Sequence, residues 1–415
     1  MQDRPAILII SPWPTLWSLG VGAGVSDESQ MLFGLIRHGY DVHMVVPRAK
    51  GMMASQPGLT VHPIPKVLVL PRWLPTPIQR LWLLPAFWFV ATRAAVRVAR
   101  QIGPVLVMGF SPYGAWPAGR AARACGVPCV QKHFGVMHAA RLEWPLPLYL
   151  YHNAETVLAL RVPADHTIIL NDGTRGDRAA QRWGVAPDRL SFLPNGVNKE
   201  WADLEIDRQA VRREYGADDD GVVFLSLSRL VRSKRIDRII DAMPEVSRRS
   251  HSKIELWIAG DGPLRADLEA RCRRRNVAAR FLGVVPHERV PHILAAADVL
   301  VATSNLTNMS IPTCEAMVMG KPAIVLDVAA TSDVVRHEVN GLLVEESKPK
   351  ALVDAMARLA NDAPLRLRLG DQARQFAARE FVNWDGRVAA EIAIIDRLTG
   401  CTPEPRPQTS MPPVP

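Results

Sequence analysis

The sequence predicts an α/β protein made of two parallel-sheet domains. Three observations predict it. The chain has 415 residues, long for a single core. Short apolar runs alternate with amphipathic stretches through most of its length. The apolar runs are continuous, as expected for strands covered by helices on both faces. Each domain is therefore expected to be Rossmann-like, with helices joining parallel strands.

Residues 6–10, AILII, read as the first strand. A helix follows over 27–38, entered through Ser26 and left through Gly39. Next come a strand at 42–46, a strand at 105–108, a helix at 115–124, and strands at 129–132 and 167–170. The stretch NKEWADLEIDRQAVRREYGADDDG is polar and acidic, which marks a linker over 198–220. A second series opens with a strand at 222–227 and a helix from Ile236. It continues with a strand at 254–259, a glycine-containing turn, a helix from Leu264, and strands at 299–302 and 323–326. From about 350 to 398 the pattern is helical only and is assigned to the second domain. The expected division is 1–197, linker 198–220, 221–398, and a disordered Pro-rich tail over 399–415. Two such domains are expected to place a ligand cleft at the carboxyl ends of their strands.

Composition narrows the partners. Net charge is +9, which suits phosphates, anionic lipid or nucleic acid. The basic residues form no stacking groove, so no nucleic-acid partner is expected. The five cysteines, at 125, 129, 272, 314 and 401, show no metal-ligand spacing and read as reduced thiols of a cytoplasmic protein. The opening MQDRPAILIISPWP is too short in apolar residues for a signal peptide or a membrane span.

Four stretches can carry chemistry. SRLVRSK, 228–234, leaves the carboxyl end of a core strand, and Arg229 with Lys234 suits a diphosphate, a fork beside a point charge. WIAGDGPL, 257–264, is first of all a turn signature. SLGVGAGVSDESQ, 18–30, offers backbone N–H groups free of side chains, without the spacing of a dinucleotide fingerprint. CVQKHFGVMH, 129–138, puts His133 just after a strand, where it is either structural or directed at the cleft. The acidic run 218–220 lacks strand context and reads as a solvated loop, so no metal site is expected. In SNLTNMSIPTCEAMVMGKP, 304–322, a helix is expected from Pro312, which puts Glu315, the one acid, in its first turn.

In order and spacing the chain resembles a family 4 glycosyltransferase of the GT-B fold, a retaining family. The resemblance is carried by GAGVSDESQMLFGLIRHGYDVHMVV (22–46), KHFG (132–135), FLPNGVN (192–198), SRLVRSK (228–234) and IAGDGPL (258–264). It continues through RFLGVVPHERV (280–290), AAADVLVATS (296–304), CEAMVMGKPAIVLD (314–327) and NGLLVEE (340–346). It implies two Rossmann-like domains facing each other across a cleft, with a helical C-terminal segment. It implies that Arg229 and Lys234 neutralise the donor's diphosphate, and that His133 approaches the donor sugar. Glu315 matches the second Glu of an E-x7-E motif and would bond the ribose hydroxyls. Gly283 and Val285 match the loop that receives the nucleobase. Gly22 matches the first residue of a Gly-Gly loop, with Ala23 in place of the second. No cofactor or metal is implied beyond a UDP- or GDP-linked sugar as substrate.

The sequence departs from the family where the first motif Glu stands, because Thr307 occupies that position. Contacts to the donor sugar are then expected from Asn308, which both donates and accepts, and from the loop around Thr307 and Ile311. The acceptor is expected to be a sugar or a lipid-linked glycan. Residues 67–100 combine Trp73, Trp82, Phe87, Trp88 and Phe89 with Arg72, Arg80, Arg93, Arg97 and Arg100. That mixture suits either a peripheral site on an anionic membrane, at the inner face of the cell membrane, or a buried helix pair. Two alternative functions are a nucleotide-sugar epimerase of the same fold and a catalytically silent sugar-nucleotide sensor.

Overall fold

The computed structural model describes residues 4–13, 27–48, 55–67, 76–135, 144–307 and 309–406. The chain divides into two compact units, residues 1–195 with 384–415, and residues 196–383.

The first unit is built on a seven-stranded sheet. In chain order its elements are β1 (Ala6–Ile10), α1 (Asp27–His38), β2 (Asp41–Pro47), β3 (Leu59–Ile64), α2 (Thr76–Ile102), β4 (Leu106–Phe110) and α3 (Ser111–Cys125). They continue with β5 (Cys129–His133), α4 (Leu146–Leu160), β6 (His166–Asn171), α5 (Gly176–Arg182) and β7 (Leu190–Pro194). The strand order is β3-β2-β1-β4-β5-β6-β7, and every pairing is parallel. The central strands are buried along their whole length; β1 and β4 are apolar throughout, while β5 buries Gln131, Lys132 and His133 as well. Edge strands β3 and β7 were not read from the sequence. They are only partly buried, and both carry Pro, which an edge tolerates.

The second unit opens with β8 (Gly196–Val197), a short 3-10 turn at Lys199–Asp203, and α6 (Arg208–Glu214). The series then runs β9 (Val222–Leu227), α7 (Ile236–Arg249), β10 (Ile254–Ala259), α8 (Arg265–Arg275), β11 (Ala279–Gly283), α9 (Val290–Ala296) and β12 (Val299–Ala302). It ends with α10 (Ile311–Val318), β13 (Ala323–Leu326), β14 (Gly341–Val344), α11 (Pro349–Asn361), α12 (Ala363–Glu380) and β15 (Val382–Asn383). The six-stranded parallel sheet has the order β11-β10-β9-β12-β13-β14, and β15 pairs with β8.

Three expected boundaries change. The stretch 198–220 is not a free linker but part of the second unit. Trp201 and Val211 are buried in that unit's core. Arg212 is fully buried and donates to the carbonyls of Ala296, Asp218, Asp219 and Gly221, and to Asp298 at 2.5 Å. The acidic triplet remains an exposed loop whose carbonyls face that guanidinium.

The last helix, α13 (Trp384–Thr399), belongs to the first unit, not the second. Its Val388, Ile392 and Ile395 share a core with Ile7, Leu32 and Val42. It sits so close to α1 that a Cβ on Gly34 would lie 2.2 Å from Val388 Cγ1. Four buried charges fix the contact. Lys132 on β5 pairs with Asp27 at 2.6 Å and with Glu391 at 2.9 Å, and Arg387 pairs with Glu391 at 2.5 Å and Asp27 at 3.4 Å. Two cations and two carboxylates offset one another, so none is stranded in the interior.

Residues 401–406 of the expected disordered tail pack on the first unit instead. Cys401 O accepts from Tyr40 Oη at 3.0 Å, Arg4 Nη1 donates to Glu404 O at 2.8 Å, and Arg406 pairs with Asp41. Residues 407–415 lie outside the described residues.

Candidate active site

In the second unit the strand order reverses between β9 and β12. At such a switch point, neighbouring loops leave the sheet in opposite directions and open a crevice at its carboxyl edge. The loops after β9, β10, β11 and β12 are tied together there. Ser228 N donates to Ala259 O at 3.0 Å, Leu230 N to Asp261 O at 2.9 Å, and Gly260 N to Gly283 O at 2.6 Å. On the other side Asn305 N donates to Ser233 O at 3.2 Å, and Thr303 Oγ1 to Arg235 O at 2.8 Å. Gly260 has φ +127°, and a Cβ on it would lie 2.0 Å from Ser228 O. The G-D-G-P turn is structural as expected, and its structural task is to let the basic loop lie against it.

Arg229 and Lys234 belong to that basic loop. Lys234 ends a 3-10 turn, Arg232–Lys234, beside a cavity of about 20 Å³ lined by Ser228, Thr303, Ser304, Ser310 and Pro312. The volume is about that of one water. Burial lowers the Lys234 pKa, and the charge of Arg229 lowers it further. Among the described residues neither cation forms an ion pair. Two neighbouring cations without a carboxylate form a site that an anion stabilises. The hydroxyls around Lys234 were not singled out in the sequence. They stand out only once β9 and β12 are known to be neighbours.

Glu315 lies on α10. The helix begins at Ile311, one residue earlier than expected, so Glu315 falls just past the first turn. Its side chain is 3% exposed. Asn198 Nδ2 donates to Oε1 at 3.3 Å and lies 3.3 Å from His287 Nε2. Burial raises the Glu315 pKa to about 8, and the Asn198 bond only partly offsets it. The carboxyl is therefore protonated at neutral pH, and can donate as well as accept. Asn198 and His287 are the partners that sequence reasoning missed; Asn198 lay in the assumed linker. Gly283 ends β11 with φ +70°, and Val285 packs half-buried on the core beside it.

Thr307 uses its hydroxyl locally, accepting from Met309 N at 3.1 Å, while Ile311 is half-buried at the start of α10. Asn308, Gly22 and Ala23 lie outside the described residues. In the first unit His133 is 1% exposed at the end of β5. Its Nε2 lies 3.3 Å from Gln131 Oε1, and burial lowers its pKa to about 4. His133 is the last residue of β5 rather than the residue after it, and it is buried with the other four. Among the described residues no group of three or more His, Cys, Asp or Glu is placed to hold a metal.

Comparison with known proteins bears on the family and the fold. Residues 207–376 match the family model described as Glycosyl transferases group 1, and residues 30–201 the one described as Glycosyltransferase Family 4. Alpha-D-kanosaminyltransferase of Streptomyces kanamyceticus is 28% identical over 270 residues, 63% of this chain and 68% of that protein. The uncharacterized glycosyltransferase MJ1607 of Methanocaldococcus jannaschii is 30% identical over 203 residues, 48% of this chain and 51% of that protein. Among solved structures, sucrose-phosphate synthase of Thermosynechococcus elongatus superposes with a TM-score of 0.75 over 96% of this chain and 100% of that one, at 19% identity. Both units fall under these matches, and the chain belongs to the family 4 glycosyltransferases, with the GT-B fold.

Proposed function

We propose that the chain moves a sugar from a UDP- or GDP-linked donor to a hydroxyl of a glycan or glycolipid acceptor, with retention at the anomeric carbon. The observation that carries the reading is the pair Arg229 and Lys234, close together and without a carboxylate partner among the described residues, at the switch point of the second unit. The anomeric C–O bond breaks while the acceptor oxygen forms a new one, and a phosphate oxygen takes the acceptor's proton. Charge grows on the leaving diphosphate, where the two fixed cations stabilise it. They supply what a glycosidase obtains from a paired acid, so no separate cofactor is invoked. Glu315, held by Asn198, is the partner of the ribose hydroxyls, and Gly283 and Val285 border the base.

Thr307 stands in place of the first motif Glu, and Asn308 takes over contacts to the sugar. The acceptor is met at a membrane surface, with the enzyme attached peripherally on the cytoplasmic side. Incubation with a panel of UDP- and GDP-sugars and acceptors, followed by NMR of the product's anomeric proton, tests the reading. Transfer with retention is expected. Nucleotide binding without transfer across the panel would favour the silent sensor that Thr307 suggests. Arg229→Ala and Lys234→Ala should each reduce kcat more than nucleoside affinity, because their charge acts on what develops during departure. Wild-type turnover in either variant removes that residue from the role.

A further inference from the structure

Most exposed large apolar side chains of the described residues sit on three helices of the first unit. They are Ile78, Trp82 and Phe89 on α2, Trp116 on α3, and Leu146, Leu148, Tyr151 and Leu158 on α4; four others lie elsewhere. A monomer rarely gathers so many in one region without a use for them. The helices are neighbours. Trp88 on α2 stacks on Trp116 at 5.7 Å and donates from Nε1 to Pro112 O at 3.3 Å.

The arrangement has a direction. On α2 the exposed stripe runs Ile78, Trp82, Pro85, Phe89 and then Arg93, Arg97, Arg100. On α3 it runs Trp116 and then Arg120, Arg123. On α4 it runs from Leu146 to Leu158, with Arg161 following. On α2 and α3 the exposed stripe is apolar first and basic toward the end, whereas α4 is apolar along its length and is followed by Arg161. All three connect successive parallel strands, so all three start at the carboxyl edge of the sheet. Neither α2 nor α3 contains an acid, and α4 contains only Glu155. The opposite stripe of α2, with Phe87, Ala91, Ala95 and Val98, is buried in the core, and Leu84 is buried too. Although Trp82–Ile102 is long and apolar enough to cross a membrane, that stripe fixes it along the protein surface.

We infer that this three-helix face docks on an anionic lipid bilayer, its apolar starts entering the headgroup region and its arginines meeting lipid phosphates. This deepens the membrane partner proposed above by adding α3 and α4 to it. It also gives the contact a polarity: the carboxyl edge of the first unit's sheet is the edge nearest the lipid. An acceptor whose lipid anchor lies in the bilayer would present its sugar at that edge.

The full chain should co-sediment with vesicles of phosphatidylglycerol and phosphatidylcholine, and tenfold less with phosphatidylcholine alone. Two variants carry the test, Trp82→Ser with Phe89→Ser on α2, and Leu146→Ser with Leu148→Ser and Tyr151→Ser on α4. All five side chains are exposed, so the thermal midpoint should stay within a few degrees. Each variant should lose at least tenfold in vesicle binding, and Arg93→Gln with Arg97→Gln and Arg120→Gln should flatten its salt dependence. UDP and GDP titrations on the same preparations should be unchanged, which separates this proposal from the transferase reading. Unaltered vesicle binding in the α4 variant would overturn the three-helix face. A wild type that ignores vesicles but forms a dimer dispersed by Trp82→Ser and Phe89→Ser would assign the face to a second copy instead.

Discussion

The lone carboxylate of 304–322 is held toward its protonated form by burial. Glu315 is buried against Asn198, and burial holds its pKa near 8. The folded value lies above the unfolded one of about 4.5, so the folded state binds the extra proton. Its contribution to stability is complete below about pH 4.5 and is lost as pH rises toward 8. His133 acts in the opposite direction. Its pKa falls from 6.5 to about 4, so its contribution is present above pH 6.5 and is lost as pH drops through 4. Glu315→Gln should therefore flatten the decline in urea midpoint between pH 5 and 8, and an unchanged slope would mean the carboxyl is ionised in the fold. Glu315→Ala should weaken UDP or GDP binding by roughly 1–3 kcal/mol, since two hydroxyls lose a partner that donates and accepts. Asn308→Ala should lower transfer about ten- to a hundred-fold with nucleotide affinity nearly intact. If Thr307→Glu neither shifts donor preference nor raises turnover, the missing carboxylate is not what sets the sugar contacts here.

Single elements were legible where burial is two-sided. Strands β1, β2, β9 and β10 are largely apolar runs, and their expected limits, like those of β5, differ from the observed ones by a residue at most. Periodicity does not reveal which sheet a helix covers, and α13 shows why. Its apolar stripe would suit either unit, and the choice is made by Arg387 and Glu391, whose partners lie far away in sequence on α1 and β5. The polar stretch 198–220 misled for a related reason. Its charges looked solvated, yet Arg212 satisfies four carbonyls and Asp298 inside the unit. Arg229, Lys234 and Glu315 were legible because each follows or opens a core element at the sheet's carboxyl edge. Ser228, Thr303, Ser304 and Asn198 were not, because only the strand order brings them close. Arg212→Ala should cost roughly 2–4 kcal/mol, as it takes the guanidinium donor from the carbonyls of Ala296 and Gly221 and leaves Asp298 with Arg208 and Val223 N as its remaining donors. A urea midpoint near the wild type would return α6 to the status of a linker.

At the scale of the whole molecule the two units differ in how the chain builds them. The second is one continuous stretch, 196–383, with its own cores on both faces of its sheet. The first is discontinuous and is completed only by the last helix. Ending the chain after Asn383 would remove Val388, Ile392 and Ile395 from the core beneath α1. It would also strip Glu391 from Lys132, leaving that buried cation with Asp27 alone. Uncovering three large aliphatic side chains costs several kcal/mol, since each contributes roughly 1.5–3 kcal/mol when buried. The imperfectly paired charge adds to the loss. For a domain of marginal stability that sum is decisive. Calorimetry of the truncated chain should therefore show the first unit's transition lost or shifted down by more than ten degrees. The second unit should keep its transition and still bind UDP or GDP. The milder replacement Glu391→Gln in the full chain separates the two causes: it removes one charge and no apolar surface, so it should lower the first transition by less. Wild-type melting of the truncated chain would show that α13 rests on the first unit without completing its core.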